Sequence, residues 1–239
     1  MLKVILVASG KGGTGKTSLT AGVGAALAQL GSKVLLIDGD CGLRNLDIVL
    51  GMSDRVVYSF ADVAGGAVPL ADAMACHPDM KTLYLLTAPV ALPALSERGM
   101  EQLAVQAEEA GFDYLLIDGP AGLPAELSFL AHIATQAIIV TSTDRVCVRG
   151  AERCARKLEE EYCIQRIRMV LNRVRPQLIS HGKSGNIDDA MDEAVPEDVD
   201  LISCSNSGRS IHAVKHTGAA RAFMNIARRL NGERIPLKL

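Results

Sequence analysis

The chain has 239 residues, of which 49% are hydrophobic and 22% charged, and its formal net charge is −2. This composition can bury a sizeable core and excludes a disordered chain, and at ~150 residues per domain the length fits one large domain or two small ones. Aromatic residues make up 3% and Trp is absent, so base-stacking platforms are missing, and the near-neutral charge gives no global pull toward nucleic acid or an anionic membrane.

The six cysteines, at 41, 76, 147, 154, 163 and 204, form no Cys-x-x-Cys pair and show no zinc-finger spacing with histidine. They read as reduced, mostly structural thiols, which suits a cytoplasmic setting. Leu2–Ala8 leads into a Gly/Lys loop without a cleavage-site pattern, and no run reaches the ~18 apolar residues of a membrane span.

Short apolar, β-branched runs occur at Lys3–Ala8, Lys33–Ile37, Thr82–Thr87, Tyr114–Ile117, Ala137–Thr141 and Arg168–Leu171. Each is bounded by Gly, Asp, Pro or Ser and reads as a strand buried on both faces. Between them, Lys16–Leu30, Glu97–Ala110, Pro124–Ala134 and Arg149–Tyr162 have helical spacing. The alternation predicts an α/β fold: a doubly wound, mainly parallel sheet with helices on both faces, with ligands beyond the carboxyl ends of the strands. Gln177–Val195 is rich in Gly, Asp and Ser and reads as an excursion with a short helix near Ile187–Ala194. No composition shift marks a boundary, so residues 1–239 are expected to form a single domain. Arg221–Leu230 is expected to be the last core-packing helix, with Phe223, Ile226, Ala227 and Leu230 on one face.

Residues 10–17 read Gly10-Lys11-Gly12-Gly13-Thr14-Gly15-Lys16-Thr17, a full G-x-x-x-x-G-K-[ST] phosphate loop between a strand and a helix. The glycines let backbone N–H groups turn toward phosphate oxygens, and the start of the helix favours the same anion. Lys16 is expected at the β- and γ-phosphates of ATP, with the Thr17 hydroxyl on Mg²⁺ and Ser18 completing the turn. Lys11 is either a solvated loop lysine or a second cation that neutralises charge during phosphoryl transfer.

Asp38 and Asp40 end the second apolar run, and Asp118 ends the fourth, all at the ligand edge of the predicted sheet. Asp118 fits a Mg²⁺-holding carboxylate. Period-2 alternation puts Asp38 and Asp40 on one side of an extended segment, one for the metal sphere and the other for a water.

These residues resemble the deviant Walker A P-loop ATPases of the MinD/ParA family. Lys11-Gly12-Gly13-Thr14-Gly15-Lys16-Thr17 is similar to the family's double-lysine loop. Asp38-Gly39-Asp40-Cys41-Gly42-Leu43-Arg44-Asn45-Leu46-Asp47 resembles the first switch of the MinD branch, and Asp118-Gly119-Pro120-Ala121-Gly122 resembles the second switch. The second switch usually has Ser or Thr where this chain has Gly119. Asn172-Arg173 and Val195-Pro196-Glu197-Asp198 look like the adenine-side elements.

The resemblance implies an ATPase that hydrolyses ATP with Mg²⁺, dimerises with ATP and acts in placing the division septum. It implies that Lys11 reaches the nucleotide of a second copy, that Lys16 and Asp40 serve catalysis, and that Asp40 activates the attacking water. Thr17, Asp38 and Asp118 would support the metal. Asn172 would read the adenine edge, beside Arg173, Pro196, Glu197 and Asp198. It also implies protein partners of the division or positioning machinery. No specific nucleic acid is expected. Partitioning or polar placement through DNA or protein partners is the alternative within the family. The family's amphipathic membrane tail would begin near Ile235-Pro236-Leu237, where only Lys238-Leu239 follow. Direct membrane binding is therefore not expected, and a partner would bring the protein to the inner face of the membrane.

Overall fold

The computed structural model describes residues 1–41, 44–91, 93–122, 124–125, 128–175, 191, 193–206 and 210–236. Its strands are β1 Lys3–Ser9, β2 Val34–Asp38, β3 Ala75–Cys76, β4 Leu83–Leu86, β5 Tyr114–Ala121, β6 Gln136–Thr141, β7 Ile167–Val174 and β8 Glu193–Pro196. The helices are α1 Lys16–Gln29, α2 Leu46–Val49, α3 Phe60–Ala64, α4 Leu70–Ala73, α5 Glu97–Glu109, α6 Ser128–His132, α7 Arg145–Tyr162, α8 Val199–Asn206 and α9 Gly218–Leu230.

The strands form one sheet in the order β3-β4-β2-β5-β1-β6-β7-β8. All pairings are parallel except the β3–β4 edge. Alternation along each strand feeds two cores. Val4, Leu6, Leu35, Ile37, Leu115 and Ile117 face one layer with α3, α5, α6 and α7. Ile5, Val7, Val34, Leu36, Tyr114 and Leu116 face the other, with α1, α2 and α9. Phe223, Ile226, Ala227 and Leu230 are buried in that second layer, as expected of a core-packing helix. No helix among the described residues is long and apolar enough to cross a membrane.

Several boundaries differ from the sequence reading. β5 continues through Asp118 to Ala121, so Asp118 lies inside a strand. β7 likewise contains Asn172 and Arg173, with the ladder shifting register between Asn172 and Val174 where Arg173 turns to φ 56°. α7 starts earlier than Arg149 because the Asp144 side chain accepts the Val146 N–H and caps it at Arg145. The helix expected over Pro124–Ala134 narrows to α6, and Glu126 and Leu127 lie outside the described residues. Glu193 and Ala194 open β8 instead of closing a helix, because they pair with Val170 and Leu171 at the sheet edge. Residues 187–190 and 192 of that expected helix lie outside the described residues, as do Gly42, Leu43 and Leu237–Leu239.

β8 is fastened by a buried ion pair. The Glu193 side chain is 2% exposed and pairs with Arg229, which is 14% exposed and also donates to the Ile235 carbonyl at 3.0 and 2.9 Å. Burial pushes the Glu193 carboxyl up from its usual range, and Arg229 pulls it back. Removing one partner strands a buried charge. Arg229→Met is therefore expected to cost about 3–5 kcal/mol in urea unfolding. A loss under ~1 kcal/mol would mean that the carboxylate is satisfied in another way.

Candidate functional site

Five strands converge on one edge of the sheet, and four of them bring polar chemistry there. β1 runs into the phosphate loop, β2 ends at Asp38, β5 carries Asp118, β7 carries Asn172 and β8 ends at Pro196. The loop adopts the required backbone: Gly13 and Gly15 have φ of 78° and 89°, and Gly15 caps α1. A side chain at Gly15 would also strike Asn172, since a Cβ there would lie 2.3 Å from Asn172 Nδ2. That amide donates to the Thr14 carbonyl at 2.8 Å, joining β7 to the loop. Thr14 Oγ1 is buried and has no partner among the described residues. An orphaned hydroxyl and a glycine-lined cradle suit a site that a polar ligand completes.

Asp38 and Asp118 are register partners on adjacent strands and are 0% and 1% exposed. Burial pushes Asp38 up to about 6, tempered by N–H bonds from Leu46 and Asp40, each 3.1 Å. Burial pushes Asp118 up to about 7, against the Thr17 hydrogen bond and the Lys16 charge, while Asp38 adds to the rise. The Thr20 hydroxyl lies 3.2 Å from Asp118 Oδ1 and 3.0 Å from the Lys16 carbonyl. Two costly carboxylates beside a buried lysine and a threonine hydroxyl form a donor set that suits a hard divalent cation.

Asp40 lies beyond the end of the strand, and its charge acts on Asp38. The strand stops at Asp38, and the chain curls so that Asp40 donates its N–H to the Asp38 carboxylate. Asp38 is fully buried, whereas Asp40 is half-buried. Between them, Gly39 donates its N–H to the Asp118 carbonyl at 2.9 Å. Burial and the Asp38 charge push the Cys41 thiol up to about 11. Gly119 has a packing reason: a Cβ there would lie 2.8 Å from the Val7 carbonyl. A hydroxyl residue at this position would have to displace β1.

Lys11 meets the start of α7. Its ammonium is 3.7 Å from the Asp144 carboxylate, and both side chains are about half exposed, at 53% and 52%. Such a pair is worth about 0–1 kcal/mol and is easily exchanged. Arg173, Pro196, Glu197 and Asp198 line a pocket of about 360 Å³ together with Gly15, Ser18 and Asn172. Asn45, Ile48, Val49, Leu201 and Phe223 complete it. Arg175 grips Glu197 at 2.5 Å and holds that carboxyl below its usual range.

Sequence reasoning missed Thr20, Asp144 and the apolar pocket wall. Thr20 stands four residues after Lys16, one helical turn on, which puts it on the same face. Asp144 carried a capping signal ahead of an apolar–polar alternation. The pocket wall gathers α2, α8 and α9, whose meeting is a matter of topology.

Residues 1–231 match the family described as ParA: NUBPL iron-transfer P-loop NTPase. A septum site-determining protein MinD from Thermotoga maritima is 36% identical over 247 residues, covering 100% of this chain and 91% of the relative. The MinC:MinD cell division protein complex of Aquifex aeolicus matches with a TM-score of 0.90 and 35% identity, covering 99% of this chain and 98% of that one. MinD from Pyrococcus horikoshii, solved with Mg-ADP, matches at a TM-score of 0.77 and 28% identity, over 97% and 96% of the two chains. Fold, loop and relatives agree across nearly the full length: the chain belongs to the MinD septum site-determining ATPases, within the ParA-type P-loop NTPases.

Proposed function

We propose that this chain, acting as one ATPase domain, closes as two copies on Mg-ATP, hydrolyses it slowly, and in the closed state engages a division-machinery protein of the MinC kind. The observation that carries the reading is the double-lysine loop packed against the buried Asp38–Asp118 pair. Thr17, Asp38 and Asp118 would hold Mg²⁺, which supplies Lewis-acid stabilisation of phosphate charge. Lys16 and the loop N–H groups bind the β- and γ-phosphates. Asn172, Arg173 and Pro196–Asp198 take the base side of the pocket.

Lys11 leaves its exposed Asp144 partner and reaches the nucleotide of the second copy, where a cation offsets charge as the γ-phosphoryl departs. Asp40, held at the turn beside Asp38, orients the attacking water. Contact of the γ-phosphate with the face that carries Lys11 and Asp40 ties dimerisation to ATP. The protein works in the cytoplasm.

Light scattering of Asp40→Ala with Mg-ATP is expected to show an accumulated dimer, because hydrolysis no longer resets the switch. A monomer at micromolar concentration would overturn the dimer reading. Lys11→Ala is expected to keep nucleotide affinity within about threefold while turnover falls about tenfold or more.

A further inference from the structure

The phosphate loop begins in backbone contact with α7. A Cβ on Gly10 would lie 2.0 Å from the carbonyl carbon of Gly150, and a Cβ on Gly150 would lie 3.2 Å from the Gly10 carbonyl oxygen. Gly150 is interior to an 18-residue helix, where glycine is weaker than alanine. The helix buries Cys147, Ala151, Cys154 and Leu158 on its core side, and that pattern does not ask for glycine at 150. Contact with Gly10 is the remaining reason for it.

The same helix meets the loop a second time, through Asp144 at its cap and the Lys11 ammonium. Gly122, in the second switch, donates its N–H to the Ser9 carbonyl at 2.8 Å, just before Gly10. A cleft of about 590 Å³, bordered by Gly10, Gly122, Gly150, Arg153 and Arg156, opens beside the contact. Backbone against backbone, with open space alongside, sets the spacing between loop and helix.

We infer that Gly150 is a positioning residue for hydrolysis: it fixes the depth at which Gly10 and Lys11 sit against α7, and so where Lys11 starts. This rests on the role given to Lys11 above. An alanine forces a shift of a few tenths of an ångström, and a valine forces more. Displacements on that scale change turnover while leaving most binding contacts in place.

The test measures kcat, KM and melting temperature for Gly150→Ala and Gly150→Val, with Gly150→Ala repeated in a Lys11→Ala background. Gly150→Ala is expected to melt within about 3 °C of the parent, because gained helix propensity offsets the shift. Its KM should stay within about threefold while kcat falls roughly five- to tenfold, and Gly150→Val should lose more. In the Lys11→Ala background, the alanine should lower kcat by less than about twofold, since coupled sites are non-additive. Parental kcat in Gly150→Ala, a full multiplicative loss in the double variant, or failure of the alanine variant to fold would each overturn the proposal. Parental turnover in Lys11→Ala alone would sink the Lys11 role. An impaired Lys11→Ala beside a parental Gly150→Ala would sink Gly150 alone.

Discussion

Asp118→Asn is expected to raise the melting temperature of the nucleotide-free protein while lowering Mg-ATP turnover by roughly 100-fold or more. The two effects have one cause. Asp118 is 1% exposed, and its carboxyl is pushed up to about 7, so ionisation at neutral pH works against the fold. Each pKa unit corresponds to about 1.4 kcal/mol. Recovering ~2 kcal/mol would raise the melting temperature of a chain of this size by roughly 4–8 °C. An asparagine still accepts from the Thr17 and Thr20 hydroxyls but gives a divalent cation no charge.

The pH dependence follows with a definite sign. Asp38 and Asp118 rise from 3.8 to about 6 and about 7, so the folded chain holds more protons than the unfolded one across that window. Their stabilising contribution is complete below about pH 3.8 and is lost as pH rises through 6 and 7. The nucleotide-free protein should lose melting temperature between pH 5 and 8 from this source, and Asp118→Asn should flatten the slope. Mg-ATP favours the ionised carboxylates, so its stabilisation should grow over the same interval. A scanning-calorimetry series in which Asp118→Asn lowers the melting temperature at every pH would contradict this account.

Lys16→Met is expected to weaken ATP binding by about 100-fold or more, because a charge-assisted contact to two phosphates is lost from a site of low dielectric. Lys16 is 7% exposed, and its charge joins the larger effect of the Thr17 hydrogen bond in lowering the Asp118 carboxyl against burial. Without it, Asp118 should climb further and stay protonated, so the variant should fold. Titration calorimetry with Mg-ATP measures the loss, and an unchanged affinity would remove Lys16 from the site.

The parts of this site that were legible in the sequence are those that chemistry fixes locally. Strand–loop–helix around Gly10–Thr17, and carboxylates where apolar runs stop, need only neighbours in the chain. Asp38 and Asp118 stand where such runs stop, yet their pairing needs β2 and β5 to lie side by side, which residue order does not state. Strand alternation reaches only to Asp38, and beyond it the Asp38 carboxylate takes the Asp40 N–H, a turn that period-2 spacing does not describe. β8 was missed because Glu193 is a charged residue in a buried strand, held there by Arg229, 36 positions away, and by the Ala194 N–H. Gly119 looked like a lost hydroxyl, and only the packing of β5 on β1 explains it.

The bond between Asn172 and Thr14 also carries information about the base. Because the Thr14 oxygen can only accept, the amide must spend a hydrogen on it, which settles which way the Asn172 head is turned. Its oxygen is then a lone-pair surface on a residue that lines the pocket, on the side proposed for the base. A purine with an exocyclic amine presents a hydrogen to that surface, while a purine with a keto oxygen presents a second lone pair. With a nucleotide seated as proposed, the phosphate loop would act as a gauge for a group at its far end: the main chain around the phosphates would also fix the polarity of the base seat.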